Sequence, residues 1–85
     1  MSLFETIVSI CGILLGAAHY PQAFRLLKTK DSTAVSLLTY SIFAFAGWVW
    51  LAYGIVIDEL PIILSFSIGA TGATWVLYLA IKLRK

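Results

Sequence analysis

The sequence predicts an all-α membrane protein that folds as a bundle of three transmembrane helices. Of its 85 residues, 61% are hydrophobic and only 12% are charged, whereas about 25% of residues are charged in a soluble globular domain. Stretches 6–24, 32–57 and 60–81 contain no Asp, Glu, Lys or Arg. Each is long enough to cross a hydrocarbon core, which needs about 20 helical residues. We therefore expect residues 1–85 to form a single transmembrane domain, with helices at about 3–27, 32–57 and 60–82.

The charged residues flank these stretches asymmetrically. All six cations lie either after the first stretch or at the C-terminus, namely Arg25, Lys28, Lys30, Lys82, Arg84 and Lys85. With three spans, these two regions share one side of the membrane, and the positive-inside rule predicts that this side is cytoplasmic and that the N-terminus is outside. Because topology alone accounts for both basic triplets, they do not indicate nucleic-acid binding.

The first span contains several features that favour helix packing and bending. Gly12 and Gly16 have the GxxxG spacing that lets another helix approach closely in lipid. Pro21 removes a hydrogen bond to the Ala17 carbonyl, so we expect a bend there. The bend is either a hinge or a kink that only shapes the end of the helix. We expect His19, beside it, to be a hydrogen-bonded structural group rather than a proton carrier.

The second and third spans supply caps and aromatic side chains. Residues 31–33, Asp-Ser-Thr, predict the N-cap of the second helix. Small residues at 65–73 predict that the third helix packs deep in the bundle. Tyr40, Phe43, Trp50 and Tyr53 follow one broad face of the second helix, which indicates either packing or a pocket. The pocket interpretation is favoured by Trp50, because a flat ring near mid-membrane can stack on a solute.

Several functions are disfavoured by what the spans lack. No Asp, Glu, Lys or Arg lies at mid-depth, so an ion-coupled pump is not expected. No paired carboxylates, metal-ligand spacing or nucleophile triad is recognisable, so the sequence predicts neither an enzyme nor a metal or cofactor. The single cysteine, Cys11, predicts a free buried thiol, with an intersubunit bridge as the alternative. Three helices cannot enclose an aqueous path, so the chain either oligomerises or serves as an accessory subunit.

Four segments taken together resemble a known family. They are Pro-Gln at 21–22, Lys-Thr-Lys at 28–30, Trp-Leu-Ala-Tyr-Gly at 50–54 and Leu-Pro-Ile-Ile-Leu at 60–64. In this order and spacing they resemble the bacterial SemiSWEETs, half-size relatives of the SWEET sugar transporters in the PQ-loop group. The resemblance covers essentially the whole chain, and SWEETs are transporters built from parallel repeats.

The resemblance implies an activity and an assembly. It implies a half-SWEET that functions as a parallel homodimer in the bacterial inner membrane. The dimer would be a uniporter that carries a small neutral solute, a mono- or disaccharide, by alternating access, with the solute bound at mid-membrane on the dimer axis. Alternatives that stay open are a non-transporting accessory subunit and a PQ-loop carrier of another solute such as an amino acid.

The resemblance also implies roles for individual residues. By position these are Trp50 in the substrate pocket, Pro21 with Gln22 as the hinge, Tyr53 at the outer gate, and Phe43 with Tyr40 at the inner gate. Phe66 stands where the family has a pocket asparagine, so we place Phe66 with Trp50 in the substrate site. The departure leaves three possibilities: Ser65 or Ser67 replaces the lost amide, the solute is smaller or more apolar than a typical disaccharide, or the chain carries sugar poorly.

Overall fold

The computed structural model describes residues 2–84, which form four α-helices. These are α1 (Leu3–Ala17), α2 (His19–Thr29), α3 (Leu37–Ile57) and α4 (Leu60–Lys82). By length and apolar composition, three spans can cross a membrane: Leu3–Thr29, which joins α1 and α2, Leu37–Ile57 and Leu60–Lys82. The protein measures 46 × 21 × 14 Å, and its long dimension matches the thickness of a bilayer with its headgroups, about 40–45 Å. The all-helical architecture with three spans is the one that the sequence predicted.

The first span begins with a capping box and is interrupted near its middle. The Glu5 amide donates to the Ser2 hydroxyl at 3.1 Å, and the Ser2 amide donates to the Glu5 carboxylate at 3.4 Å. Ala18 separates α1 from α2. Pro21 follows within the first turn of α2, and because proline has no N–H, it cannot donate to the Ala17 carbonyl. The interruption therefore lies where the sequence predicted a bend.

The second span begins later than predicted. The N-cap of α3 is Ser36, whose hydroxyl accepts from the Thr39 amide at 3.1 Å, so the helix starts at Leu37 rather than near residue 32. Ser32 is fully buried, and its hydroxyl donates to the Ala80 carbonyl of α4 at 2.6 Å. The Ser32 side chain, which the sequence predicted as part of the helix cap, thus bonds a residue 48 positions away in the sequence.

Helix α4 lies between the first span and α3 and packs against both. A Cβ atom at Gly16 would lie 2.7 Å from the Gly69 nitrogen, and one at Gly47 would lie 3.1 Å from the Ala70 Cα. The helices therefore meet backbone to backbone, which only small residues permit. Of the small residues at 65–73 that were predicted to pack deep in the bundle, Ala70, Gly72 and Ala73 are buried, whereas Ser67 is exposed.

The two ends of the bundle differ in charge. We call the end formed by α2, the loop 30–36 and the end of α4 the basic end, because it carries Arg25, Lys28, Lys30, Lys82 and Arg84. We call the opposite end the acidic end, because it carries Glu5, Asp58 and Glu59. Lys85, which the sequence analysis grouped with the basic residues, lies outside the described residues. Which end faces the cytoplasm stays a prediction.

Candidate functional site

A groove of about 530 Å³ lies between α1, α3 and α4. Both α1 and α3 pack against α4, and the space that remains between them forms the groove. Its lining comprises Ile7, Val8, Cys11, Gly12, Leu15 and Gly16 from α1, His19 from α2, Phe43 and Gly47 from α3, and Pro61, Ile62, Ser65, Phe66 and Gly69 from α4. Among residues 2–84, the side chains that line the groove are mostly apolar and include no Asp, Glu, Lys or Arg.

Small residues let α1, one wall of the groove, approach α4 closely. A Cβ atom at Gly12 would clash with the side chain of Ser65, and one at Gly16 would clash with the backbone of Gly69. The GxxxG pair predicted from sequence therefore serves packing within one chain. Because these glycines project no side chains, α1 approaches α4 without filling the space beside it.

Phe66 forms the aromatic wall of the groove, and Trp50 stacks on it. The two ring centroids are 5.9 Å apart and the ring planes differ by 13°. Tyr53 contacts the same indole edge to face, at 5.5 Å and 89°. The structure thus brings together the two residues predicted for the substrate site, and it places Phe66 rather than Trp50 in the groove lining. Trp50 is still 48% exposed in the single chain.

His19 connects the first span to α3 on the side of the groove nearer the basic end. Its Nδ1 atom is 3.2 Å from the Tyr40 hydroxyl, within hydrogen-bond distance. Its ring lies 5.4 Å from the Tyr40 ring and 5.6 Å from the Phe43 ring. Tyr40 and Phe43, the predicted inner-gate pair, pack edge to face at 5.4 Å. His19 has the structural hydrogen bond that the sequence predicted, and it also lines the groove.

The residues predicted to form the hinge and the outer gate lie beside the groove rather than in it. Pro21 is exposed and Gln22 half-buried, and neither belongs to the lining. Both follow the helix interruption at Ala18 within one turn. Tyr53 lies one turn beyond Trp50 toward the acidic end. The structure therefore gives these residues positions compatible with a hinge and a gate, and the roles themselves stay predictions.

The serines proposed to replace the family's amide differ in position. Ser65 lines the groove, while Ser67 is exposed and outside the lining. Each hydroxyl donates to a carbonyl one turn earlier in α4, Ser65 to Pro61 at 2.7 Å and Ser67 to Ile63 at 2.5 Å. Only Ser65 is therefore placed to meet a ligand, and its hydroxyl proton is already engaged. Within residues 2–84, no group of His, Cys, Asp and Glu is arranged to hold a metal ion.

Cys11 is the clearest groove residue that the sequence analysis missed. It was expected to be buried, but its side chain is exposed and lines the groove. The signal was present as a stripe at four-residue spacing, in which Ile7, Cys11 and Leu15 share one face of α1 and His19 continues the spacing into α2. This stripe was overlooked because nearly every position in the span is apolar, so hydrophobicity does not distinguish the lipid face from the groove face.

Known proteins that resemble this chain include two curated sequences and one solved structure. A sugar transporter SemiSWEET of Leptospira biflexa is 30% identical over 69 residues, which covers 81% of each protein. An uncharacterized protein of Methanocaldococcus jannaschii is 39% identical over 54 residues, which covers 64% of this chain and 58% of that protein. The crystal structure of a bacterial homologue of SWEET transporters matches with a TM-score of 0.86 and 30% identity, covering 96% of this chain and 99% of that one. No family model matches the sequence.

Proposed function

Because the chain belongs to the SemiSWEET family, we propose that it is a sugar transporter that works as a parallel homodimer. The observation that carries the proposal is the apolar groove of about 530 Å³, which is bounded by three spans and which no charged side chain of residues 2–84 lines. One such bundle cannot surround a solute, whereas two facing grooves can. The solute then binds at mid-membrane on the dimer axis, which also fits the parallel-repeat architecture of SWEETs.

The proposed transport cycle uses the two ends of the groove in turn. On the side nearer the basic end, a cluster of His19, Tyr40 and Phe43 closes the path toward that end. At the other end, Tyr53 closes the path toward the acidic end. Bending of the first span near Ala18, with Pro21 and Gln22 as the hinge, moves α1 and α2 relative to each other, so that one closure opens while the other forms.

Transport is proposed to be uncoupled and the membrane to be the bacterial inner membrane. Within the part of the chain that the structure describes, no carboxylate that could bind a sodium ion or relay a proton lines the groove. The solute therefore moves down its own gradient. The basic end is placed on the cytoplasmic side by the positive-inside rule.

Uptake into proteoliposomes tests the proposal. The purified protein is reconstituted, and saturable uptake of radiolabelled glucose and sucrose is measured for the wild type and for Trp50→Ala. We expect uptake by the wild type and its loss in Trp50→Ala, with both proteins running as dimers in size-exclusion chromatography with light scattering. Trp48→Ala is the matched control, because the Trp48 indole donates to the Thr74 hydroxyl at 2.8 Å instead of stacking on Phe66, and it should keep at least about half of the uptake.

Three outcomes would contradict parts of the proposal. Unchanged uptake in Trp50→Ala would overturn the assignment of the substrate site. A monomeric wild type would overturn the dimer. A wild type that takes up no sugar and copurifies with a larger membrane complex would favour the accessory-subunit alternative.

A further inference from the structure

The groove is unusually poor in polar atoms for a site that holds a sugar. Within the described chain, only three lining side chains carry a polar atom: Cys11, His19 and Ser65. A thiol is a weak hydrogen-bond donor and acceptor. The Ser65 hydroxyl donates its proton to the Pro61 carbonyl and is left with acceptor capacity alone.

His19 is therefore the strongest polar partner that the groove offers. Its Nδ1 atom is engaged with the Tyr40 hydroxyl. That bond holds the ring in place between the first span and α3. No hydrogen bond within residues 2–84 uses Nε2, so this second ring nitrogen can serve a solute hydroxyl.

The aromatic wall of the groove contributes no hydrogen bond. Phe66 faces the groove and covers one face of the Trp50 indole by stacking. A phenyl ring offers a flat apolar surface against which the C–H face of a sugar ring can pack. Leu15 and Ile62 extend the same apolar lining.

These properties set a preference among sugars. A hydroxyl that leaves water without finding a partner is costly, and the cost rises with each further unpaired hydroxyl. Resting on the proposed function, we propose that the groove selects deoxysugars, in which hydrogen replaces one or more hydroxyl groups, over their fully hydroxylated counterparts, and that His19 is the polar anchor. Phe66 supplies the stacking surface for the face that bears fewer hydroxyls.

Two matched sugar pairs test the preference in the wild-type protein. D-Fucose differs from D-galactose by the C6 hydroxyl, and 2-deoxy-D-glucose differs from D-glucose by the C2 hydroxyl. Initial uptake rates into proteoliposomes are measured against concentration for all four radiolabelled sugars. We expect kcat/KM to be at least about fivefold higher for the deoxy member of at least one pair, the difference that one unpaired hydroxyl produces.

Variants then assign the preference to residues. Phe66→Asn adds an amide with donors and acceptors, so the preference should fall toward unity, whereas Phe66→Leu keeps an apolar wall and should retain it. His19→Leu should raise KM for both members of a pair about tenfold, and His19→Gln should recover most of that loss. Size-exclusion profiles establish which variants are folded, and the wild-type comparison needs no variant.

Each outcome supports or overturns a defined statement. Equal rates within both pairs, or faster uptake of the hydroxylated members, would overturn the inference and leave sugar transport intact. A wild-type KM in folded His19→Leu would overturn the anchor assignment. Uptake of sucrose but of none of the four monosaccharides would overturn the inference and leave sugar transport intact. Uptake of none of the five sugars would overturn the proposed function and the inference with it.

Discussion

The basic end of the bundle and its groove-bearing half are held together by different kinds of contact. At the basic end, Leu26 and Val76 are fully buried in a core shared by α2 and α4. Ser32 links the loop 30–36 to α4, and Arg84 donates to the Ser32 carbonyl at 3.1 Å. Along the groove, α1 meets α4 through glycines. The basic end is therefore packed through side chains, whereas along the groove the helix backbones approach each other closely.

The number of buried residues also differs between α1, which forms one wall of the groove, and α4. α1 buries Ser9 and Gly16, whereas seven residues of α4 are buried. Near the acidic end, Leu3 and Phe4 are 79% and 74% exposed in the single chain. The proposed alternating access would need a fixed end and a movable wall, and this comparison supports assigning these roles to the basic end and to α1.

The largest expected effect comes from filling the glycine contact between α1 and α4. Gly16→Ala would place a Cβ atom 2.7 Å from the Gly69 nitrogen, where backbone rather than a flexible side chain must move. We expect a loss of about 2–3 kcal/mol in the free energy of unfolding, the upper range for overpacking. Unfolding in mixed micelles, followed by circular dichroism, measures it.

Gly69→Ala is the control for this substitution. Its Cβ atom would lie 3.5 Å from the Gly16 Cα, which is an ordinary van der Waals distance, at the place where α4 packs against α1. It should change the free energy of unfolding by less than about 1 kcal/mol, since the helix propensity of alanine offsets part of any crowding. Equal destabilisation by both variants would contradict the backbone-to-backbone packing described for α1 and α4.

A smaller effect is expected at the basic end. Ser32→Ala removes the buried hydrogen bond to the Ala80 carbonyl, and we expect a loss of about 1–2 kcal/mol in the free energy of unfolding. Thr33→Ala is the matched control, because Thr33 is exposed and its hydroxyl bonds Asp31 within the loop at 2.9 Å. The control should lose less than about 0.5 kcal/mol. If the two variants were equally stable, the Ser32 link would not hold the loop to α4.

Much of the fold was predictable because the bilayer restricts the choices. The lengths of uncharged sequence correctly predicted three spans, and Pro21 predicted the interruption of the first. The start of α3 was wrong because Asp-Ser-Thr at 31–33 has good local capping chemistry, whereas Ser32 is buried against Ala80. A contact between residues so distant in sequence has no local signal, and Ser36 caps the helix instead.

The site was predictable in part. The sequence placed Trp50 and Phe66 together, and the structure shows them stacked. The sequence did not indicate that Phe66 rather than Trp50 lines the groove, because this depends on how α3 and α4 are rotated relative to each other. Cys11 was missed because a face of an apolar helix that lines a groove has the same composition as one that faces lipid.

Cys11 also provides the most direct test of the claim that the groove binds the solute. It is the only cysteine in the chain and lines the groove, so a water-soluble thiol reagent reports access to this site in reconstituted wild-type protein. The labelling rate is measured with and without a saturating concentration of a transported sugar, with Cys11→Ser as the background and a non-transported solute as the osmotic control. We expect the transported sugar to slow labelling severalfold and the control solute to leave the labelling rate unchanged. Equal labelling rates with and without the transported sugar would contradict binding of the solute in the groove.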